Sequence, residues 1–157
     1  FNSESVSYVW YNITMEDFKI RTNQLEDKEK SIDIFLESLE KIGATITADK
    51  FESDAYIVQF NFEQGEIKTT LRILFHDKTG SDVVIANMTT LPDEAKGKGF
   101  GGDAIQNVLQ WARDNSFNEV RATQVQTESE GFWTKNGFIK DEEYNLTNDY
   151  VYHFDNK

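Results

Sequence analysis

The stretch EAKGKGFGGDAIQNVLQWARDN (residues 94–115) joins a glycine-rich segment to a helical pattern. Four of the nine glycines of the chain fall within residues 97–102. Beyond them, apolar residues recur at helical spacing, which predicts a helix from Asp103 to about Asp114. A β-branched run precedes the glycines and ends at Leu91, so the glycines connect a predicted strand to a predicted helix.

A glycine-rich turn that opens a helix is a candidate site for an anion. The first N–H groups of a helix have no partner within it, and the helix dipole adds positive potential there. Glycine adopts positive φ and lets a ligand approach the backbone closely, while Lys96 and Lys98 add positive charge. The pattern favours a phosphate or pyrophosphate site over a merely flexible connection. It matches neither the dinucleotide-binding fingerprint nor the P-loop.

The first half of the chain predicts one strand, one helix and a run of three more strands. The β-branched and aromatic segment Val6–Ile13 predicts the first strand. The segment KEKSIDIFLESLEKIG (residues 28–43) has apolar residues at helical spacing and predicts a helix that stops at Gly43. Three strand-like runs between Asp54 and Leu91, separated by turn residues, predict an antiparallel meander.

The second half predicts a strand, a short helix and two final strands after the glycine-rich joint. EVRATQVQ (residues 119–126) predicts the strand, and SEGFWTKNGF (residues 129–138) predicts a short helix that ends at an Asn-Gly pair. GFIKDEE (residues 137–143) and DYVYHF (residues 149–154) predict the final strands. The fold class is therefore α+β, with a central mixed, mostly antiparallel sheet flanked by helices.

Composition and charge limit the kind of protein and its partners. With 157 residues, of which 38% are hydrophobic, the chain is predicted to form a single globular domain over residues 1–157. The formal net charge of −12 disfavours nucleic acid as a partner. No apolar window is long enough to span a membrane, so we expect no membrane partner.

The chain contains no cysteine. This excludes disulfides, cysteine metal sites and a thiol nucleophile, and it fits a reducing, cytoplasmic location. We expect no metal. His76 and His153 lie among strand residues without an evident partner, so structural roles are expected for both.

Two segments resemble signatures of a known family. KGKGFG (Lys96–Gly101) is similar to the Arg/Gln-x-x-Gly-x-Gly/Ala signature of the GNAT superfamily, the acetyl-coenzyme A-dependent N-acetyltransferases. GFWTKNGF (Gly131–Phe138) resembles the late FYEKNGF-type segment of that family, and the resemblance extends from Val83 to about Phe154. It implies a GNAT-like fold in which residues 81–157 are the coenzyme A-binding half and residues 1–80 the variable half.

The resemblance also implies where the co-substrate acetyl-coenzyme A binds. Its pyrophosphate would lie on the backbone amides between Lys98 and Asp103, with Lys96 at the basic position of the signature. Its pantetheine arm would pair with the end of the strand that precedes the glycines. The implied cofactor-binding residues are Thr89, Thr90, Leu91, Lys96, Lys98, Gly99, Phe100, Gly101, Gly102, Asp103 and Trp133.

Three departures from the family pattern affect the expected chemistry. Trp133 stands where many members carry a Tyr that is thought to protonate the departing thiolate. Because an indole N–H is no acid near neutral pH, we interpret Trp133 as a packing residue. Asp103 would repel a bound pyrophosphate unless its side chain points away. The strand before the glycines offers no carboxylate after Asp82 that would serve as general base.

The catalytic residues are therefore unknown from the sequence. Glu94 and Glu128 are weak candidates because they lie near the two motifs, although each is also typical of a solvated surface acid. Tyr144 is a third weak candidate, since it lies near the late segment but not at the position of the family's Tyr.

Two hypotheses about function follow from the resemblance. In the first, the protein transfers acetyl from acetyl-coenzyme A to a primary amine of a small molecule or peptide, and the negative charge favours a cationic acceptor. In the second, it is a catalytically impaired binding or sensor protein that binds coenzyme A or a basic partner protein. The aromatic cluster Tyr8–Tyr11 belongs either to the core or to the interface of a homodimer.

Overall fold

The structure is a computed structural model that describes residues 33–52, 55–75, 82–143 and 146–154. Contacts divide the chain into Phe1–Ile34 and Phe35–Lys157, and the description below concerns the second unit. The predicted strand Val6–Ile13, the aromatic cluster Tyr8–Tyr11 and His76 lie outside the described residues. The prediction of a single domain over the whole chain therefore stays a prediction.

The helix predicted in the first half is present and stops where the sequence indicates. Residues 33–41 are helical and form α1. Gly43 has a φ of +97°, and its amide donates to the Glu40 carbonyl across 3.0 Å. The Ala44 amide then donates to the Leu39 carbonyl across 3.2 Å. This left-handed glycine accounts for the C-terminal stop.

Four consecutive antiparallel strands follow α1. They are β1 (Thr45–Glu52), β2 (Ala55–Gln64), β3 (Ile67–Phe75) and β4 (Asp82–Leu91). The last three confirm the predicted meander. The sequence did not predict β1 because the strand lies at the sheet edge, where all of its residues except Ile46 are exposed. An edge strand without a buried face shows no apolar alternation.

The second half contributes two helices and three strands. They are α2 (Phe100–Asp114), β5 (Glu119–Ala122), α3 (Glu130–Lys135), β6 (Ile139–Lys140) and β7 (Tyr150–His153). The strand order in the sheet is β1-β2-β3-β4-β5-β7-β6. Among the described strands only β4 and β5 pair in parallel, so the sheet is mixed and mostly antiparallel, as predicted.

Two of the boundaries that differ from the sequence prediction affect the site. The helix α2 begins at Phe100 rather than Asp103, because Gly99 caps it with a φ of +96°. The predicted strand over residues 119–126 ends at Ala122, because Gln124 takes a left-handed φ of +54°. A non-glycine residue in that conformation does not continue a strand.

One face of the sheet carries the described core. Apolar side chains from β2, β3 and β4 are buried on this face, among them Val58, Phe60, Leu71, Ile73, Phe75, Val83 and Ile85. Phe35 of α1 and Trp111 of α2 meet across 6.2 Å between ring centroids, and both contact Phe75. The buried Trp111 Nε1–H donates to Ser38 Oγ across 2.7 Å. These contacts fix α2 on the sheet.

None of the helices in the part of the chain that the structure describes is long and apolar enough to cross a membrane.

Candidate cofactor-binding cleft

The strands β4 and β5 pair for only four residues and then separate. They pair from Asp82 with Glu119 to Ile85 with Ala122. On the other side of β4, Ile85 and Asn87 face consecutive residues of β3, so Ala86 is an extra residue, a β-bulge. A bulge bends its strand and increases the local twist. The bulge therefore lies where β4 leaves β5.

The chain after β5 turns away from β4 at the point where their pairing ends. The Gln124 amide donates to Asp149 Oδ1 across 3.3 Å. The Val125 amide donates to the Asn148 carbonyl across 3.1 Å, and the Asn148 side-chain amide donates to the Val125 carbonyl across 2.7 Å. The backbone of these two residues is thus bonded to the segment that precedes β7.

A cavity of about 370 Å³ lies between the separated strands. Its walls are residues 85–89 of β4, residues 122–126 and three side chains near α3, namely Ser129, Phe132 and Trp133. None of these described side chains ionises near neutral pH. The polar groups that face the cavity are hydroxyls, side-chain amides and backbone groups, which suit an extended ligand that carries amides of its own.

The N-terminus of α2 presents free backbone amides. Gly97 and Gly99 have φ angles of +79° and +96°, which turn the chain into the helix. The Asp103 amide donates to the Gly99 carbonyl across 3.0 Å and is therefore already used within the helix. The amides of Phe100 and the two glycines that follow it have no such partner within the helix. They are suited to bind an anion.

The helix N-terminus lies directly behind the cavity wall. A Cβ atom placed on Gly101 would lie 3.3 Å from the Phe132 ring and 3.5 Å from Met88 Cε. Both of these side chains line the cavity. A Cβ atom on Gly102 would lie 3.5 Å from Asn136 Oδ1. The structure therefore brings together the two segments that carry the predicted motifs.

The charged residues of the glycine-rich joint lie on the surface. Lys96 Nζ lies 3.2 Å from Asp93 Oδ1, and both side chains are exposed. Lys98 is exposed and has no ion-pair partner within the described residues. Asp103 is also exposed, on the face of α2 that carries Gln106 rather than on the buried face.

Only one of the three predicted residues at the end of β4 lines the cavity. Thr89 is exposed and contributes to the wall. Thr90 is buried, and its Oγ1 lies 3.2 Å from the Oγ1 of Thr69. Leu91, the last residue of the strand, is 52% exposed and is not part of the wall.

Trp133 combines packing with a position on the cavity wall. It is 7% exposed. Its ring contacts Phe132 and Phe138 edge to face, with centroids 5.1 Å and 4.9 Å apart. This side chain therefore forms an aromatic wall of the cavity and holds α3 against the residues that follow it.

The predicted catalytic candidates do not line the cavity. Glu94 is exposed in the 3₁₀ turn Asp93–Ala95, and Glu128 is exposed in the 3₁₀ turn Thr127–Ser129. Tyr144 lies outside the described residues, and His153 is an exposed residue of β7. The structure thus brings neither glutamate into the described cavity wall.

Sequence reasoning missed the polar residues that surround β7. The Tyr150 hydroxyl donates to Glu130 Oε2 across 2.5 Å. This bond holds the pKa of Glu130 below its ordinary value and raises the pKa of Tyr150. The sequence placed Asp149 at the start of a predicted strand and gave Asn148 no role, and nothing in it indicated contact with Gln124 or Val125.

Comparison with known proteins supports the resemblance noted in the sequence. A family model described as the acetyltransferase (GNAT) family matches residues 9–138. A search of curated proteins found no sequence that matches this chain.

Solved structures share the fold at low sequence identity. An acetyltransferase from Bacillus cereus superposes with a TM-score of 0.50 at 10% identity, covering 90% of this chain and 94% of that one. A putative acetyltransferase from Agrobacterium tumefaciens gives 0.50 at 13% identity, covering 82% and 92%. GCN5 from Tetrahymena gives 0.50 at 12% identity, covering 66% and 70%. These similarities confirm the predicted GNAT-like fold. Because the family model also matches most of the sequence, the chain belongs to the GNAT acetyltransferase family.

Proposed function

We propose that this protein is an N-acetyltransferase that moves acetyl from acetyl-coenzyme A to a primary amine of a small molecule or peptide. The proposal rests on one observation. The cavity between β4 and β5 meets the free amides of α2 at the contact between Gly101, Met88 and Phe132. Coenzyme A combines a pyrophosphate with an extended amide-bearing arm, and these two features match the amides and the cavity.

The residues around the cavity suit each part of the co-substrate. The amides of Phe100, Gly101 and Gly102 would bind the pyrophosphate, with the exposed Lys98 adding positive charge. The pantetheine arm would lie along residues 87–89 of β4, where the backbone no longer has β5 as a neighbour. The Asp103 carboxylate is exposed, so solvent screens its repulsion of a bound pyrophosphate.

The separated strand also supports the chemistry. A bound thioester supplies the activated acetyl group, and a primary amine attacks its carbonyl carbon, so that a C–N bond forms and the C–S bond breaks. Beyond Ala86 β4 has no pairing with β5, so the alternate N–H groups that do not bond to β3 are directed to the side of the cavity. Such fixed donors stabilise negative charge that develops on a carbonyl oxygen.

The proton of the amine has to leave without help from the cavity wall. No described side chain that lines the cavity is a carboxylate or imidazole. We propose that the neutral amine attacks and that its proton passes to water or to the departing thiolate. The value of kcat/KM should therefore rise about tenfold per pH unit until the pKa of the amine is reached, as a pH profile with one acceptor would show.

We further propose that the acceptor is cationic, because the net charge of −12 attracts positive ligands. A polyamine, an aminoglycoside and a Lys-rich peptide form the cationic part of a suitable acceptor panel, and an amine that also carries a carboxylate forms the neutral part. The value of kcat/KM should be highest for the cationic acceptors and should fall as ionic strength rises. Equal rates for neutral and cationic amines, independent of salt, would overturn this part.

Calorimetry with acetyl-coenzyme A tests the proposal directly. Binding should give a measurable heat and raise the Tm of the protein. Absence of both at millimolar ligand would reject the proposal. Turnover is then measured by release of free thiol with the acceptor panel.

A second candidate function is a binding or sensor protein without turnover. The absence of an ionisable side chain among the described cavity walls favours it, as does Trp133 at the position where many members carry a Tyr. Coenzyme A binding without thiol release across the whole acceptor panel would support this alternative, and turnover on any amine would reject it.

A further inference from the structure

The segment Thr147–Asp149, which we name the clamp segment, binds the backbone where β5 leaves β4. Three hydrogen bonds make this contact. The Gln124 amide donates to Asp149 Oδ1, the Val125 amide donates to the Asn148 carbonyl, and the Asn148 side chain donates to the Val125 carbonyl. The contact joins residues that are more than twenty positions apart in the sequence.

Strand geometry shows what the clamp segment prevents. In a parallel pair, alternate residues direct their N–H groups to the same neighbouring strand. The Thr123 amide donates to the Ile85 carbonyl of β4 across 3.2 Å, so in a continued strand Val125 would supply the next donor to β4. The left-handed φ of Gln124 turns the Val125 amide to Asn148 instead. The pairing between the two strands therefore ends, and the cavity begins.

The left-handed turn has to be held by its surroundings. A non-glycine residue at positive φ costs about 1 to 2 kcal/mol relative to ordinary conformations. Gln124 and Asn148 both adopt this conformation, at +54° and +53°. Asn tolerates it better than most residues, while Gln does not have that preference. The hydrogen bonds of the clamp segment offset the cost at Gln124.

The clamp segment is itself fixed by a network around the buried Asp149. Its Oδ1 also accepts from Thr123 Oγ1 across 2.9 Å and from Thr147 Oγ1 across 2.6 Å. Its Oδ2 lies 3.3 Å from Arg121 Nη1, which in turn lies 2.7 Å from Asp141 Oδ2. A polar network with this many partners is rigid.

We propose that Asn148 and Asp149 are positioning residues that keep the cavity open in the free protein, so that the strands are already separated when a ligand enters. The inference rests on the proposed function, since the ligand expected in this cavity is coenzyme A. Neither side chain lines the cavity, so both act through the backbone of residues 124–125.

Two variants and a matched control test the proposal by coenzyme A calorimetry. Asp149→Ala removes the acceptor of the Gln124 amide, and Asn148→Gly removes the side-chain donor while tolerating the positive φ. Each should weaken coenzyme A binding about tenfold or more when measured well below the Tm. Asp141→Ala removes an equal charge and a shorter contact to Arg121 and leaves in place the bonds of residues 124–125 to Asn148 and Asp149. It should lower the Tm and leave the coenzyme A Kd within about twofold.

A structural role alone would lower the Tm of all three variants and leave every Kd unchanged, and that result would overturn the proposal. A second measurement needs no ligand. NMR of the free double variant Asn148→Gly/Asp149→Ala should show a changed exchange rate of the Val125 amide, because this amide leaves the Asn148 carbonyl, and new cross-strand contacts between Asn87 and Val125. Unchanged exchange and an unchanged cavity would also overturn the proposal, even where the wild-type protein fails to bind coenzyme A and the proposed function is rejected.

Discussion

Thr123 bonds to two different neighbours of β5 at the point where the cleft begins. Its amide donates to the Ile85 carbonyl of β4 across 3.2 Å, and its hydroxyl donates to Asp149 Oδ1 across 2.9 Å. The backbone amide of the next residue, Gln124, donates to the same carboxylate oxygen, Asp149 Oδ1. The sheet thus passes from paired strands to an open cavity within two residues.

A side chain at Gly99, the left-handed N-cap of α2, should destabilise the protein. Gly99→Ala is expected to lower the free energy of unfolding by about 1 kcal/mol, because Gly99 has a φ of +96° although its surroundings have open space. Coenzyme A affinity should fall as well if the free amides shift. Chemical denaturation and calorimetry measure the two effects.

Gly131→Ala is the matched control for that variant. Gly131 lies within α3, where no atom would lie within 4 Å of an added Cβ and the φ is not positive. The substitution Gly131→Ala should stabilise the protein by about 0.5 to 1 kcal/mol. Equal effects of the two substitutions would show that the left-handed φ of Gly99 is not what matters.

Filling the space at Gly101 should separate α2 from the cavity wall. A Cβ atom there lies 3.3 Å from the Phe132 ring, so Gly101→Leu forces either the ring or the helix to move. We expect coenzyme A binding to weaken about tenfold or more and the stability to fall by about 1 to 3 kcal/mol. Gly131→Leu serves as the size-matched control, since no atom would lie within 4 Å of its Cβ. An unchanged Kd for Gly101→Leu would contradict the proposed position of the pyrophosphate.

The Asp149 carboxyl should make the protein sensitive to acid. Burial acts to raise the pKa of this group, but hydrogen bonds from Thr147, Thr123, the Gln124 amide and Arg121 outweigh it and hold the pKa below its ordinary value of 3.8. The carboxylate therefore contributes full stability above that ordinary value. The contribution is lost as pH falls from there through the lower pKa of the folded state.

Thermal unfolding from about pH 6 down to about pH 2.5 measures this effect. Asp149→Asn should be less stable than the wild type at neutral pH, by about 1 to 2 kcal/mol. The difference should shrink as the acid pH approaches the pKa of the folded state. A difference that stays constant over this range would mean that the charge of Asp149 does not stabilise the fold.

The bond between Trp111 and Ser38 should stabilise the contact of α1 with α2. Ser38→Ala leaves the buried Trp111 N–H without a partner and should cost about 1 to 3 kcal/mol. In the background of Trp111→Phe, the same serine substitution should cost much less, because the donor is gone. Equal costs in both backgrounds would show that the hydrogen bond contributes nothing.

Much of the fold was predictable because the decisive signals are local. In the described parts of residues 54–91 and 28–43, the alternation and the helical spacing each reflect one buried face, so they predicted the meander and α1. β1 has no buried face, so the sequence pattern did not predict it. The start of α2 was placed at Asp103 because glycine is a poor helix former, whereas the structure uses Gly101 and Gly102 within its first turn.

The sequence alone determined that glycines join a strand to a helix, and it predicted an anion site there, because the free amides of a helix N-terminus follow from local geometry. Only the tertiary structure decided where the cleft opens. That opening depends on Asn148 and Asp149 bonding to Gln124 and Val125, and on the bulge at Ala86. Such bonds join distant segments, so no pattern of neighbouring residues encodes them.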